Sequence, residues 1–343
     1  YQISVSITDK QGRTAVSNSL PFRIYTGKEK LADQLKEENF RQFTSGLYAW
    51  DIMEPWAIAD FGSNVDGEEE SVRVPKDLEV WYGSHTSGTY GYLGYDIEWE
   101  KVESGDIPQT LYIPAGCNLT IENMEILSSV HIIVENGGKL TLSDSTVQGI
   151  IDVEKGGTFS MNYNAFEGNF TSGASICGQL RLADGAILEN AAIYSNANYL
   201  ANGDLTDRNI KTPVVVANGN VTVKGQVFIR GEGDGPGIGQ TGLQVKNGTL
   251  TLADGAILAV YGGEGAINEN DGGIAIDLVN GNIEGNGKLI AVAGKTLFGD
   301  GGTGVTGNGT INTSEAYIQG STTYKGETGK ATDEDVKIVG AKK

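Results

Sequence analysis

Basic charge is scarce in this chain. Its 343 residues carry 25 Lys and Arg against 44 Asp and Glu, a formal net charge of −19. Gripping phosphates takes clustered Lys and Arg, so the balance argues against nucleic acid as a partner and against an anionic membrane surface. It suits a soluble extracellular protein that takes up cations, or does no more than keep the chain soluble through self-repulsion. Histidine is scarcer still: His85 and His131 are too few and too far apart for a zinc site. With no Gly-x-Ser-x-Gly elbow, they give a nucleophilic triad no support. His131 sits in an apolar strand pattern and reads as a packed or outward residue. Of cysteines there are two, Cys117 and Cys177. In a repeat of ~20 residues they fall about three coils apart, or ~14 Å at ~4.8 Å between strands. A disulfide needs Cα atoms within ~7 Å, so two free, buried thiols are predicted. No apolar run reaches the ~18 residues of a membrane span, which predicts no membrane insertion. No signal peptide opens the chain; Tyr1 begins inside a strand pattern, and upstream sequence is expected.

Glycine, by contrast, is abundant. There are 50, about twice ordinary usage, set between strand-like runs as turns would be. From residue 130 to 295 one phrase recurs: apolar, polar, Asn or Lys, Gly, then an alternating strand. Copies run from Val134 to Leu142, Val153 to Phe159, Val216 to Val223, Val245 to Leu252 and Leu278 to Ile283. A heptapeptide recurs intact at Leu182–Leu188 and Leu252–Leu258. Repetition of this kind predicts stacked coils in place of one closed core. A coil of about 20 residues holds three short strands, each paired in parallel with its copy in the next coil. Val and Leu pile inward, Thr141, Thr222, Thr249 and Thr251 point outward, and Asn or Gly takes the left-handed conformation at the corner. Glycines at 138, 157 and 178 set compact early coils. The gap from Gly178 to Gly219 is two coils or one coil with a long loop, and later coils carry inserted loops, which in such repeats gather on one face.

The chain divides into three segments. Residues 1–26 alternate as strands about a turn at Asp9–Gly12. Residues 27–107 form a cap: Leu31, Leu35, Phe40, Phe43 and Leu47 recur at helical intervals over 27–47, and all four Trp lie between 50 and 99. Such a cap would cover the open end of a stack. Residues 108–343 are the repeat, with eight to ten coils expected.

On the Asn-Gly phrases, the Gly231–Gly239 run and Gly294 to Leu297, the chain resembles the pectin-lyase-like, right-handed parallel β-helix superfamily. More narrowly it resembles Gly-rich adhesin-like surface proteins of gut Gram-positive bacteria. Residues 1–25 resemble the closing strands of a bacterial immunoglobulin-like module, or are a hairpin packed on the neighbouring segment. The fold class implied is all-β: a right-handed parallel β-helix, or solenoid, with an N-terminal helix and aromatic cap. The function implied is that of a non-catalytic, secreted or cell-surface bacterial protein, an adhesin-like scaffold or glycan-binding module, monomeric, whose partner is carbohydrate or a host or cell-wall surface. The alternative on the same fold is a polysaccharide lyase or glycoside hydrolase acting on an acidic polysaccharide.

Candidate site residues fall in three groups. Trp81, Tyr82, Tyr90, Tyr92, Tyr95 and Trp99 alternate with Gly and Ser, and flat rings stack on sugar faces; the alternative, which the gathering of all four Trp in this region favours, is that they pack the N-terminal cap against the first coil. Asp204, Asp207, Arg208 and Lys211 put two carboxylates beside two cations, as uronide hydrolysis or elimination needs, or form a charged loop. No other cofactor is expected, but calcium would suit the acidic glycine loops holding Asp234, Asp271 and Asp300; they match neither the calcium β-roll nonapeptide nor the EF-hand. Asp184 and Asp254 sit in Asp-Gly turns and read as structural. Gly299-x-Gly301-x-x-Gly304 matches a dinucleotide fingerprint formally, but no helix is expected after it.

Overall fold

Parallel pairing at a distance of one repeat organises the chain. A computed structural model describes residues 99–122, 124–162, 175–195, 212–233, 239–265 and 271–339, with short strands and turns upstream and a small pair at 165–166 and 169–170. The first ladder runs through Gln109–Ile113, Val130–Val134, Ile150–Val153, Gln179–Leu182, Val215–Asn218, Leu243–Lys246 and Ile276–Val279 to Val305. The second runs through Asn118–Glu122, Lys139–Ser143 and Thr158–Asn162, then the first halves of Ile187–Tyr194 and Val221–Arg230, and on to Thr249–Leu252. The third takes Met124–Ile126, Thr146–Val147 and Ser175–Ile176, the second halves of those two long strands, and Ile257–Tyr261. Asn282–Val292 and Val305–Gln319 each serve two or more ladders without a break.

The result is an all-β, solenoid-like stack of parallel strands, compatible with a β-helix. Its ladders continue upstream of residue 108, through Glu70–Arg73, Glu79–Gly83 and Gly91–Leu93. The interval from Gly178 to Gly219 is one coil with a long loop, because Leu180 pairs directly with Val215.

Register makes the core. Along the first ladder Leu111, Ile132, Ile151, Leu180, Val215, Leu243, Ile276 and Val305 align one above another, all at most 1 % exposed. Along the second, Leu119, Leu140, Phe159 and Leu188 do the same. Since strand side chains alternate, one face of each ladder points into these columns and the other outward. Thr141 keeps its outward register but is buried, its hydroxyl 2.8 Å from that of Ser160.

Corner chemistry obeys the repeated phrase. Asn247 and Asn280 adopt positive φ of 55° and 54°, Asp144 and Asn190 of 44° and 43°. The left-handed region tolerates Asn and Asp among non-glycine residues because their short side chains hydrogen-bond locally. Here they bond between coils: Asn308 Nδ2 donates to Asn280 Oδ1 at 2.8 Å, and the Asn280 amide donates to Asn308 Oδ1 at 2.9 Å.

One expectation meets a different structure near the N-terminus. Inside the span 27–47, read as a helix, Phe40–Gln42 is a strand paired antiparallel with Tyr48–Trp50; aromatic residues suit cross-strand pairing as well as a helical stripe. The rest of that span lies outside the described residues. Among the described residues one helix occurs, Trp99–Ser104, and no helix is long and apolar enough to cross a membrane. The turn in residues 1–26 is as expected: Ser6–Thr8 pairs antiparallel with Thr14–Val16 about Gly12.

Both cysteines are free and buried. Burial pushes the Cys117 thiol up to about 12, and the thiolate is the reactive form. At pH 8 the folded protein should therefore take up no maleimide or DTNB within minutes, and two equivalents once denatured. Fast labelling of the native chain would contradict the packing at Cys117 and Cys177.

Candidate functional site

After Arg230, inserted length gathers at one corner. Four successive loops, 231–242, 262–275, 293–304 and 320–332, each leave a third-ladder strand and return to the first ladder. Their bases are fused by backbone alone. The Gln240 amide donates to Glu232 O, Gly263 to Gln240 O, Gly273 to Gly263 O and Gly294 to Gly273 O, and the chain continues through Gly302, Ser321 and Gly329, every bond between 2.7 and 3.2 Å. An added Cβ on Gly263 would overlap the Glu232 carbonyl oxygen, and one on Gly294 that of Gly263. The acidic glycine loops thus owe their glycines to close backbone packing.

The carboxylates of these loops also have work within the fold. Asp271 Oδ1 accepts the Asp300 amide at 2.8 Å, and Asp300 Oδ1 accepts the Glu327 amide at 2.8 Å. Asp234 lies outside the described residues. Among the described residues no group of three His, Cys, Asp or Glu gathers as metal ligands would. Asp184, at the corner before the second ladder, accepts both the backbone amide and the side-chain Nδ2 of Asn220, at 2.8 and 2.9 Å. The backbone bond foremost, then the side-chain bond, holds its carboxyl below the usual range. Asp254 accepts Asn286 Nδ2 in the same way, at 2.9 Å. The formal dinucleotide fingerprint at Gly299 leads into the strand Val305–Gln319 and not into a helix.

The aromatic candidates are spread over several elements. Trp81 and Tyr82 stand on the second-ladder strand Glu79–Gly83, in register with Thr120 and Ile121. Tyr92 stands on the third ladder in register with Glu125, and Trp99 opens the helix. Tyr90 and Tyr95 lie outside the described residues, as do all four of Asp204, Asp207, Arg208 and Lys211. Arg181 and Arg230 do not share a face: Arg181 is on the first ladder and Arg230 on the third.

On the outward face of the first ladder, His131 Nε2 lies 2.7 Å from Asp152 Oδ2, and Arg181 is the register partner of Asp152. The next carboxylate on that row is Asp277, past Arg181, Val216 and Gln244. Four strand steps put it ~19 Å from Asp152 at ~4.8 Å each, well beyond the ~5–9.5 Å of paired glycosidase carboxylates. Asp277 is engaged by Gln244 Nε2 at 2.8 Å and Thr306 Oγ1 at 3.2 Å.

The outward face of the third ladder is different in kind. In register along it stand Ala192, Phe228, Ala259, Ile290 and Tyr317, and beside them Tyr194, Arg230, Tyr261, Val292 and Gln319. The Phe228 ring lies between two tyrosines, its centroid 5.2 Å from Tyr194 and 5.0 Å from Tyr261, tilted by 40° and 34°. Alanine at 192 and 259 leaves room for the tyrosines to lean over the column. The three rings are half-buried, and Tyr317, farther along, is 53 % exposed. Burial pushes the Tyr194 hydroxyl up to about 12, against the opposing pull of the Arg230 guanidinium. Arg230 pairs with Glu264 at 3.4 Å and Lys288 with Glu315 at 2.7 Å.

No protein family, curated protein or solved structure matches the chain. The candidate site therefore stands on its geometry: an outward sheet face with a row of rings, bordered by paired charges and by the stacked loops. The sequence carried a signal for it. Each of its strands precedes a small residue or glycine at one place in the repeat, as in Ile193-Tyr194-Ser195, Phe228-Ile229-Arg230-Gly231 and Val260-Tyr261-Gly262.

Proposed function

We propose that this protein is a non-catalytic, secreted or surface-displayed bacterial scaffold of the right-handed parallel β-helix kind, adhesin-like, that binds carbohydrate on the outward face of its third ladder. The observation that carries this reading is the ring row Tyr194–Phe228–Tyr261. Rings of this kind present a large, rigid, apolar face with polar tips, which matches the apolar faces and hydroxyl rims of sugars. A β-sheet holds them at low entropic cost, since the platform exists before the ligand arrives. The acidic surface and the backbone-tied loops suit an extracellular part that must stay soluble and resist unfolding.

The second reading, a lyase or hydrolase for an acidic polysaccharide, is favoured by one feature, His131 bonded to Asp152, whose register partner is Arg181. A base held by a carboxylate next to a cation has the parts for abstracting a proton beside a uronate. Against it, Nε2 of His131 is the nitrogen engaged by Asp152, which leaves the ring nitrogen nearer the backbone to do the chemistry. A glycan array on the intact chain, with an assay for unsaturated uronides and new reducing ends, separates the two. Binding without product is expected. Product that disappears in His131→Ala would replace the scaffold reading with the enzymatic one.

A further inference from the structure

Resting on that carbohydrate reading, we infer that the third face takes an uncharged, linear polysaccharide laid lengthwise along the stack. The direction comes from register. Phe228, Ile290 and Tyr317 belong to one aligned column, with Tyr194 and Tyr261 leaning in from the next. The row crosses five strands, ~19 Å at ~4.8 Å per step. A surface that repeats along a line offers equivalent contacts to a ligand that repeats along a line, whereas a compact ligand would use one or two rings and leave the rest exposed.

The charge class comes from the border. The two cations of the row are each held by a carboxylate, Arg230 by Glu264 and Lys288 by Glu315. A uronate or sulfate would have to displace Glu264 or Glu315 and enter a field of net negative sign, with the chain at −19. Binding through the face thus draws on apolar ring contact and hydroxyl hydrogen bonds, with little Coulomb attraction. Such binding is insensitive to salt, because screening acts on exposed charge pairs.

The test uses affinity electrophoresis and calorimetry on the full chain. Its probes are soluble uncharged glucan, xylan and mannan with oligosaccharides cut from them, set against polygalacturonate and a sulfated glycan. The expected result is binding to at least one uncharged polymer, unchanged at high salt and tightening with oligosaccharide length. Phe228→Ala and Tyr261→Ala should each weaken it about tenfold, as losing an aromatic anchor does. Circular dichroism checks that each variant folds. Tyr317→Ala removes a side chain that is 53 % exposed and decides the matter if a ring in the row proves necessary for folding; about a threefold loss is expected for long chains and none for short ones. Uncharged-polymer binding that survives these substitutions overturns the site and leaves the carbohydrate reading standing. Binding confined to polygalacturonate or the sulfated glycan overturns the uncharged class. No binding to any polysaccharide removes the carbohydrate reading and this inference with it.

Discussion

Gly294→Ala is expected to destabilise the protein by about 3 kcal/mol or more, the range of severe overpacking. The new methyl would overlap the Gly263 carbonyl oxygen, and that oxygen is already bonded by the Gly273 amide at 2.7 Å. Relief requires the loop base to move outward. That movement would strain the bond from Gly294 to Gly273 O and the one from Gly302 to Gly294 O, at 2.8 and 3.2 Å. Gly255→Asn is the matched control. Gly255, unlike Gly294, has a positive φ, 73°, but an added Cβ there meets nothing within 4 Å, and Asn tolerates the left-handed region. It should cost less than about 1 kcal/mol. Guanidinium unfolding followed by circular dichroism reads both. Equal effects would mean that the loop bases are not packed as described.

Phe159→Ala should cost about 4 kcal/mol, within the range for emptying a buried aromatic site. Phe159 is fully buried and is the largest fully buried side chain among the described residues. It stands in register between Leu140 and Leu188, and neither can swing across to fill the space, because each is fixed to its own strand by the ladder. Coils touch only their neighbours, so the loss should be felt locally. Amide exchange should accelerate first in Lys139–Ser143, Thr158–Asn162 and Ile187–Tyr194, while strands after residue 243 keep their protection. A uniform rise in exchange along the whole chain would show that the stack unfolds as one unit.

The parts legible in the sequence are those that short-range chemistry determines. Asn247 and Asn280 declare corners because their positive φ suits few other residues, and Leu250-Thr251-Leu252 declares a half-buried strand by alternation alone. The columns are a direct result, since identical phrases stacked in register must place like on like. The ring row was not legible in the same way. Ala192 to Phe228, Ala259, Ile290 and Tyr317 proceeds by steps of 36, 31, 31 and 27 residues, with no fixed period to announce it, because loops of unequal length intervene. The stretch from Trp81 to Trp99 is dense in aromatics, and its described members fall on the second ladder, the third ladder and the helix. Density in sequence does not place residues on a common face when a chain changes ladder every few residues. The span 27–47 shows the converse difficulty: Phe40 fits a helical stripe and a strand equally well, and pairing with Tyr48–Trp50 decided between them at a distance that periodicity does not register.

The ladder bonds lie along the stack, between one coil and the next. A tug between the two ends of the molecule would therefore load them head-on, a few at a time, and not in shear across a whole sheet. The outermost turn would peel off first. Each turn released would pay out roughly 30 residues of chain, on the order of 100 Å when extended, before its neighbour took up the strain. A body built this way lengthens in instalments under tension and keeps whatever it holds on its remaining turns.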